Sequence, residues 1–124
     1  MLAAIDAMAT VAVKDLQRAR KFCQDTLGLN AVHTDQHFIR YRSGNAAILV
    51  YVSSFAGTNR ATAVTWAVGD ELENIVSALN AKGVEFEHYD LPQTVRKGDI
   101  HVSGKTRVAW LKDPDGNILS LVSG

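Results

Sequence analysis

The sequence contains little cysteine, no excess of charge of either sign and no long apolar run. Its single cysteine, Cys23, excludes an internal disulfide. Basic and acidic side chains number 13 each and are interspersed, so no basic face predicts binding to nucleic acid. Apolar runs such as 46–52 are far shorter than the ~20 residues that cross a bilayer, and the N-terminus lacks a positively charged start. We therefore expect a cytoplasmic protein without nucleic-acid or membrane partners.

A strand followed by a helix can be recognised twice along the 124 residues, which suit one domain of the α+β class. Alternation over 9–13 predicts a strand, and helical spacing follows it, with Asp15 as N-cap and Gly28 as the end of the helix. The strand TAVTWAV and a helix that ends at Gly83 repeat this order. Cys23 falls on the apolar stripe of the first helix, so we expect a buried thiol that is not reactive.

The two halves align with each other. One constant interval superimposes four pairs of residues: Asp15 and Asp70, Gly28 and Gly83, His33 and His88, and Asp35 and Asp90. The segments YRSGNAAILVYV and LKDPDGNILSLV also match, and both indicate a strand, a five-residue turn and a strand. The alignment predicts two β-α-β-β-β modules, at about 6–52 and about 62–123, with a linker at 53–61.

The second half is longer, and its additional residues fall within LPQTVRKGDIHVSGK (91–105), which is rich in turn formers and charge. We interpret this segment as a long loop, and two roles stay open: a gate over a pocket, or a surface insertion. Its RKGD tetrapeptide has neither the spacing nor the following helix of a phosphate-binding loop. No nucleophile with a nearby base forms a recognisable local pattern, so covalent catalysis is not predicted.

Three segments resemble the vicinal oxygen chelate superfamily, which includes glyoxalase I, extradiol dioxygenases, fosfomycin-resistance enzymes and bleomycin-resistance proteins. They are VKDLQRARKFCQDTLGL, ALNAKGVEF and WLKDPDGNILSL, and the likeness spans nearly the whole chain. The resemblance implies two modules whose mixed sheet curls into a cup, with the helices outside and a ligand within. It also implies that modules pair within a chain or across a homodimer, and we expect a homodimer.

Metal-dependent members of this superfamily hold a divalent cation with one side chain from each of four strands. Carried over by the motifs, these positions fall on Met8, Val50, Ala63 and Ser120. A thioether, two aliphatic side chains and a neutral hydroxyl do not replace the usual His and Glu ligands. The resemblance therefore implies a member without a metal or another cofactor, in which the Ser120 hydroxyl takes the place of a carboxylate.

Strand alternation predicts which side chains line the cup. Met8 and Thr10 on the first strand, and Ala63 and Thr65 on the fifth, are expected to face inward. Trp66 is expected in the core beneath the second helix.

The turn alignment makes Arg40 and Trp110 equivalent in their two strands. If both face the cup, Arg40 can pair with a carboxylate or phosphate, and Trp110 can stack on a flat ring. A solvated arginine and a core tryptophan are the alternatives.

The four histidines, His33, His37, His88 and His101, are interpreted as structural or surface residues. His33 and His37 stand roughly 13 Å apart if the segment is extended, so they do not share a metal. His88 nevertheless joins the candidate ligand-binding residues, as the counterpart of His33 and as a candidate acid–base group.

The predicted function is a metal-free small-molecule binding protein of the bleomycin-resistance type, which sequesters an aromatic or amphipathic ligand. Its candidate ligand-binding residues are Met8, Thr10, Arg40, Val50, Ala63, Thr65, His88, Trp110 and Ser120, and no catalytic residue is assigned. The alternative is a glyoxalase-like lyase, an isomerase or a dioxygenase of the same superfamily, which is either metal-dependent through unexpected residues or metal-independent with His88 or Arg40 as its acid–base or electrostatic group. A third hypothesis is an interaction domain whose cup is filled by its own side chains.

Overall fold

The computed structural model describes all 124 residues, which form two compact units. The first unit comprises Met1–Ala63 together with the turn Asp113–Asn117, and the second comprises Val64–Lys112 and Ile118–Gly124. A sheet of four strands and a sheet of five strands accompany two α-helices, which confirms the predicted α+β class. Neither α-helix combines the length and the apolar character needed to cross a bilayer.

The first unit follows the predicted order of elements. Its elements are β1 (Ala9–Val13), α1 (Leu16–Lys21), β2 (Asn30–Thr34), β3 (Phe38–Ser43) and β4 (Ala46–Val52). The strands lie in the order β1-β4-β3-β2, with β1 parallel to β4 and the other pairs antiparallel. A π-helical turn continues α1 over Phe22–Thr26. The Asp15 carboxylate accepts a hydrogen bond from the Gln17 backbone N–H at 2.9 Å, so the predicted N-cap is confirmed.

One face of the first sheet is buried, and Val50 belongs to it. Val50 lies beside Val11 on β1 and Ile39 on β3, and all three are buried. The prediction that Val50 faces the open side is therefore wrong. The β3–β4 hairpin turns with only two residues between Ser43 and Ala46, whereas the aligned hairpin turns with the five residues 113–117. The two turns differ in length by an odd number of residues. An alignment that equates them therefore shifts β4 by an odd number and assigns its side chains to the wrong face of the sheet.

The core beneath α1 contains two titratable side chains whose pKa values are raised by burial. Cys23 is buried, and burial, with a smaller effect of the Asp113 carboxylate, raises the pKa of its thiol to about 12. Tyr41 is fully buried, and burial raises the pKa of its hydroxyl to about 12 as well. Because only a thiolate is strongly nucleophilic, Cys23 acts as a small apolar residue, as the sequence predicted.

The second unit contains one more strand than predicted. Its elements are β5 (Thr62–Ala67), α2 (Leu72–Ala81), β6 (Val95–Lys97), β7 (Ile100–Ser103), β8 (Thr106–Lys112) and β9 (Ile118–Ser123). The strands lie in the order β5-β9-β8-β7-β6. A 3-10 turn over Gly69–Glu71 precedes α2, and α2 packs against β9.

The segment 91–105 is not an unstructured loop. It contains β6 and most of the hairpin with β7, in which Lys97 pairs with Ile100 across the turn residues Gly98 and Asp99. Its many turn formers therefore reflect a tight hairpin at the sheet edge. The strand predicted directly after α2 is reduced to one isolated bridge between Glu87 and Trp110, so the second half reads β-α-β-β-β-β.

Buried polar groups organise the turn Asp113–Asn117. Asp113 Oδ1 accepts hydrogen bonds from the backbone N–H groups of Asp115 at 3.0 Å and Asn117 at 2.8 Å. The Asn117 side-chain amide donates to the Ala12 carbonyl at 2.7 Å and to Asp113 Oδ2 at 2.8 Å. Asp115 forms an ion pair with Arg18 at 2.8 Å, and its side chain is only 1% exposed. The conformation of the turn is thus held by the side chains at its two ends, Asp113 and Asn117, and by the contact of Asn117 with Ala12 on β1.

The linker 53–61 contacts the same turn at Gly57. This residue has a φ of 73°, and a Cβ atom at this position would overlap the carbonyl oxygen of Asp115. Only glycine combines this backbone conformation with such a close approach. At its start, the linker continues from β4 with a hydrogen bond from the Ser53 N–H to the Val13 carbonyl at 2.9 Å.

We expect Asn117→Ala to lower the free energy of unfolding by about 1–3 kcal/mol, because the partly buried Ala12 carbonyl and Asp113 carboxylate lose their donor. Urea denaturation followed by circular dichroism measures the change. Asn30→Ala is the matched control, since Asn30 is exposed on the edge strand β2 and should stay within about 0.5 kcal/mol of wild type. Equal effects of the two substitutions would contradict the role assigned to the turn.

Candidate functional site

Thr65, Trp110 and Ser120 lie together on one face of the second sheet. Trp110 on β8 is the register partner of Ser120 on β9, and the Thr65 and Ser120 hydroxyl oxygens are 2.7 Å apart in a hydrogen bond. The adjacent pair Leu111 and Leu119 faces the opposite, buried side of the sheet. Ser120 is 4% exposed, so Thr65 satisfies a hydroxyl that is costly to bury alone. These three predicted site residues are therefore brought together.

The rings of Trp110, Tyr89 and His101 form an aromatic cluster. The Tyr89 ring lies 5.2 Å from the Trp110 ring at 68°, and the His101 ring lies 4.8 Å from it at 74°. Both are edge-to-face geometries, the favoured arrangement of aromatic pairs. The isolated bridge positions Tyr89, because the Glu87 N–H donates to the Trp110 carbonyl at 2.8 Å. The cluster thus depends on a short backbone contact and not on a full strand.

His101 has an unpaired hydrogen-bonding atom in this cluster. Its side chain is buried, and its Nε2 accepts a hydrogen bond from the Tyr89 backbone N–H at 2.9 Å. A neutral imidazole has one donor nitrogen and one acceptor nitrogen, so Nδ1 carries the proton. No protein group accepts from Nδ1. A buried donor without a partner costs about 1–3 kcal/mol, which marks this nitrogen as a candidate ligand contact.

His88 is oriented by a carboxylate. Its Nε2 lies 2.7 Å from Asp99 Oδ1, and the Asn80 amide donates to Asp99 Oδ2 at 3.0 Å. The hydrogen bond from His88, followed by that from Asn80, holds the pKa of the Asp99 carboxyl below its ordinary value, so the group is ionised. Because a carboxylate only accepts, Nε2 of His88 donates this hydrogen bond. The His88 and His101 rings are 6.4 Å apart.

Arg96 adds positive charge next to this pair. Its guanidinium donates to the Gly98 carbonyl at 2.8 Å, and the same NH1 atom lies 3.5 Å from Nε2 of His88. Asp99 in the β6–β7 turn and Arg96 on β6 therefore both lie beside Nε2 of His88.

A second group of predicted residues lies on the open face of the first sheet. Thr10, Leu49 and Arg40 are neighbours in register across β1, β4 and β3. Arg40 and Met8 line a pocket of about 730 Å³, together with Asp6, Ser43, Asn45 and neighbouring alanines. Arg40 makes no ion pair, so it can bind an anion as the sequence analysis expected. Leu49 occupies the place on this face that was expected for Val50.

The remaining predicted side chains are less closely grouped. Ala63 precedes Thr65 by two positions on β5, so alternation gives it the same face. Trp66 shares the face of the buried Val64, as expected, but it is partly exposed and so is not the core residue that was expected. His33 stacks on Phe38 at 5.3 Å and stays on the exposed edge strand β2.

Sequence reasoning missed Tyr89, Asp99 and the buried position of His101. The signal for Asp99 was present, since a Gly-Asp dipeptide between two short β-type segments indicates a two-residue hairpin turn. That hairpin would have placed His101 on a strand beside β8. No local pattern indicates Tyr89, because contacts with other strands position it: the bridge from Glu87 to Trp110 and the hydrogen bond from its own N–H to Nε2 of His101.

The residues at the metal positions implied by the resemblance do not fit a divalent cation. Met8, Ala63 and Ser120 provide no carboxylate or imidazole, and Leu49, which replaces Val50 on the open face, provides no ligand atom. The Ser120 hydroxyl is already bonded to Thr65. No group of three His, Cys, Asp or Glu side chains is arranged to hold a metal ion elsewhere.

No protein-family description and no curated protein matches the sequence. Solved structures do match, and three are compared here. The integron cassette protein HFX_CASS4 from the Halifax Harbour sewage outfall metagenome is 18% identical over 98% of this chain and 99% of its own, with a TM-score of 0.73. The fosfomycin resistance protein FosX from Listeria monocytogenes, complexed with Mn(II) and sulfate, is 19% identical over 100% and 92%, with a TM-score of 0.73. Lactoylglutathione lyase from Agrobacterium tumefaciens is 17% identical over 98% and 94%, with a TM-score of 0.72.

Asp99→Asn is expected to weaken the dependence of the free energy of unfolding on pH in the acid range. Because the folded pKa of Asp99 is depressed, its ionised form stabilises the fold above the ordinary pKa of 3.8, and this contribution is lost as the pH falls through the lower folded pKa. The free energy of unfolding, measured in urea from about pH 2 to pH 6, should fall more steeply in wild type than in Asp99→Asn. The control Asp90→Asn, at an exposed position, should keep the wild-type slope. Identical slopes for all three proteins would contradict the His88–Asp99 interaction.

Proposed function

We propose that this chain, which has the fold of the vicinal oxygen chelate superfamily, is a metal-free protein that binds and sequesters an aromatic or amphipathic small molecule. The observation that carries the proposal is the unpaired Nδ1–H of His101, buried next to Trp110. A donor and an aromatic ring at one place are typical of ligand sites, which combine apolar walls with a few directed polar groups. Trp110 offers a surface for a flat ring, and His101 offers a hydrogen bond that orients it.

The Thr65–Ser120 pair supports binding without a metal. A carboxylate at position 120 would attract a cation, whereas two hydroxyl groups bonded to each other are neutral and satisfied. A sequestering protein of the bleomycin-resistance type needs affinity alone, so it does not need to polarise its ligand. The open face of the first sheet, with Met8, Thr10 and Arg40, is proposed as a contact surface of its own, in which Arg40 would pair with an anionic group.

The second candidate function is a glyoxalase-like lyase, an isomerase or a dioxygenase. The His88–Asp99 pair favours it, since a carboxylate that orients an imidazole is a common acid–base arrangement. Elemental analysis of protein purified without chelators separates the two functions. Near-stoichiometric Zn, Ni, Mn or Fe would support a metal-dependent enzyme and contradict the binding proposal. A homodimer in the cytoplasm belongs to the same proposal, and light scattering of the purified protein tests the dimer.

Isothermal titration with a panel of flat aromatic cations and neutral two-ring compounds tests the binding function. We expect saturable binding of at least one compound and a loss of about tenfold in affinity for Trp110→Leu, which corresponds to about 1.4 kcal/mol of ring contact. Trp66→Leu is the matched control, because Trp66 lies on the opposite face of the sheet and should leave the affinity unchanged. The absence of saturable binding across the whole panel would refute the proposal.

A further inference from the structure

We propose that the pocket beside the β3–β4 hairpin binds a zwitterion, a small molecule in which an aliphatic chain joins an ammonium group to a carboxylate. The inference rests on the contact surface proposed around Arg40 and names its ligand class, and it does not depend on the aromatic cluster of the second unit. Every residue that lines the pocket belongs to the first unit. The pocket volume of about 730 Å³ is typical of small-molecule sites.

The first step concerns charge. The pocket is lined by one acidic and one basic side chain, Asp6 and Arg40. These two do not pair with each other, and neither forms an ion pair with any other side chain of the protein. Both residues are exposed, so a ligand can reach their charges. The pocket therefore offers a carboxylate and a guanidinium that the protein itself does not neutralise.

The second step concerns position. Ile39 and Tyr41 on β3 are buried, so alternation places Arg40 between them on the open face of the sheet. Asp6 lies shortly before the start of β1 at Ala9. Since β4 lies between β1 and β3, these two strands are roughly 10 Å apart. The two charges thus come from separate segments of the chain, and a ligand with its charges at opposite ends suits this separation.

The third step concerns the wall of the pocket. Most of its other residues are apolar: Ala7, Met8, Ala46 and Ala47. Methyl groups and a flexible thioether favour contact with an aliphatic chain. Asn45 adds a neutral polar group at the hairpin turn. The wall therefore suits an aliphatic chain and supplies no third charge.

The fourth step excludes a ligand with a single charge. A simple anion would pair with Arg40 but would be repelled by Asp6, and a simple cation would meet the reverse arrangement. A zwitterion pairs with both groups, because its carboxylate accepts from the guanidinium and its ammonium donates to the aspartate. Exposed ion pairs are weak, so we expect each ligand charge to change the affinity by about fivefold.

The experiment compares compounds that differ only in their end groups: 6-aminohexanoate, hexanoate and hexylamine. Isothermal titration of wild type at neutral pH and low ionic strength should give about fivefold or more tighter binding of 6-aminohexanoate than of either analogue. The same comparison with chains of four and eight carbons covers shorter and longer charge separations. A preference for the zwitterion at one or more of the three lengths is the expected result.

Two substitutions remove the protein charges separately. Arg40→Gln should abolish the advantage of the amino acid over the amine without weakening the binding of the amine. Asp6→Asn should abolish its advantage over the acid without weakening the binding of the acid. Both side chains are exposed, and circular dichroism should show the wild-type fold. Arg60→Gln is the matched control, since Arg60 is exposed in the linker, does not line the pocket and should preserve the wild-type ratios.

The outcomes separate this inference from the proposed function. Equal binding of the amino acid and the acid at every length would overturn the role of Asp6 and the inference, and would leave the anion contact of Arg40 intact. A preference for the zwitterion that survives both substitutions would overturn the inference as well, because the charges would then be recognised elsewhere. A lack of saturable binding for all nine compounds would also overturn it, whereas the aromatic panel tests binding at Trp110 independently.

Discussion

The candidate site depends on the register of β8 against β9, and the hydrogen bonds of the turn Asp113–Asn117 set that register. The Asp113 N–H donates to the Asn117 carbonyl at 2.9 Å, which closes the turn so that Lys112 pairs with Ile118 and Trp110 pairs with Ser120. A slip of one residue would move one strand's side chains to the leucine face of the sheet. The turn therefore determines which residues share the sheet face of Trp110 and Ser120.

The site differs from a metal centre in the kind of group that is left unpaired. His101 uses its acceptor nitrogen on the Tyr89 backbone, and His88 uses its donor nitrogen on Asp99. His101 consequently keeps an unpaired donor, whereas a carboxylate holds the ring of His88. Such a set of groups suits the proposed recognition by hydrogen bonds and ring contacts, whereas a metal site needs several lone pairs directed at one point.

Alternation along β5 predicted the face of Thr65, whereas the sequence left the face of Trp110 open. Prediction failed where it had to cross a turn. Val50 was assigned to the wrong face because a two-residue turn was aligned with a five-residue turn. This alignment places each side chain of β4 on the opposite face of the sheet. The segment 91–105 was read as a loop because β6 has only three residues, too few to show a period.

The sequence by itself determined the repeated strand and helix order, the N-cap at Asp15 and the lack of metal-binding side chains at Met8, Ala63 and Ser120, because these follow from residue type and local spacing. Only the tertiary structure decided that Thr65 bonds Ser120, 55 positions away, and that Asp99 orients His88. The reason is physical: periodicity sets the face of a side chain within its own strand, whereas its partner depends on strand pairing and on the length of each turn.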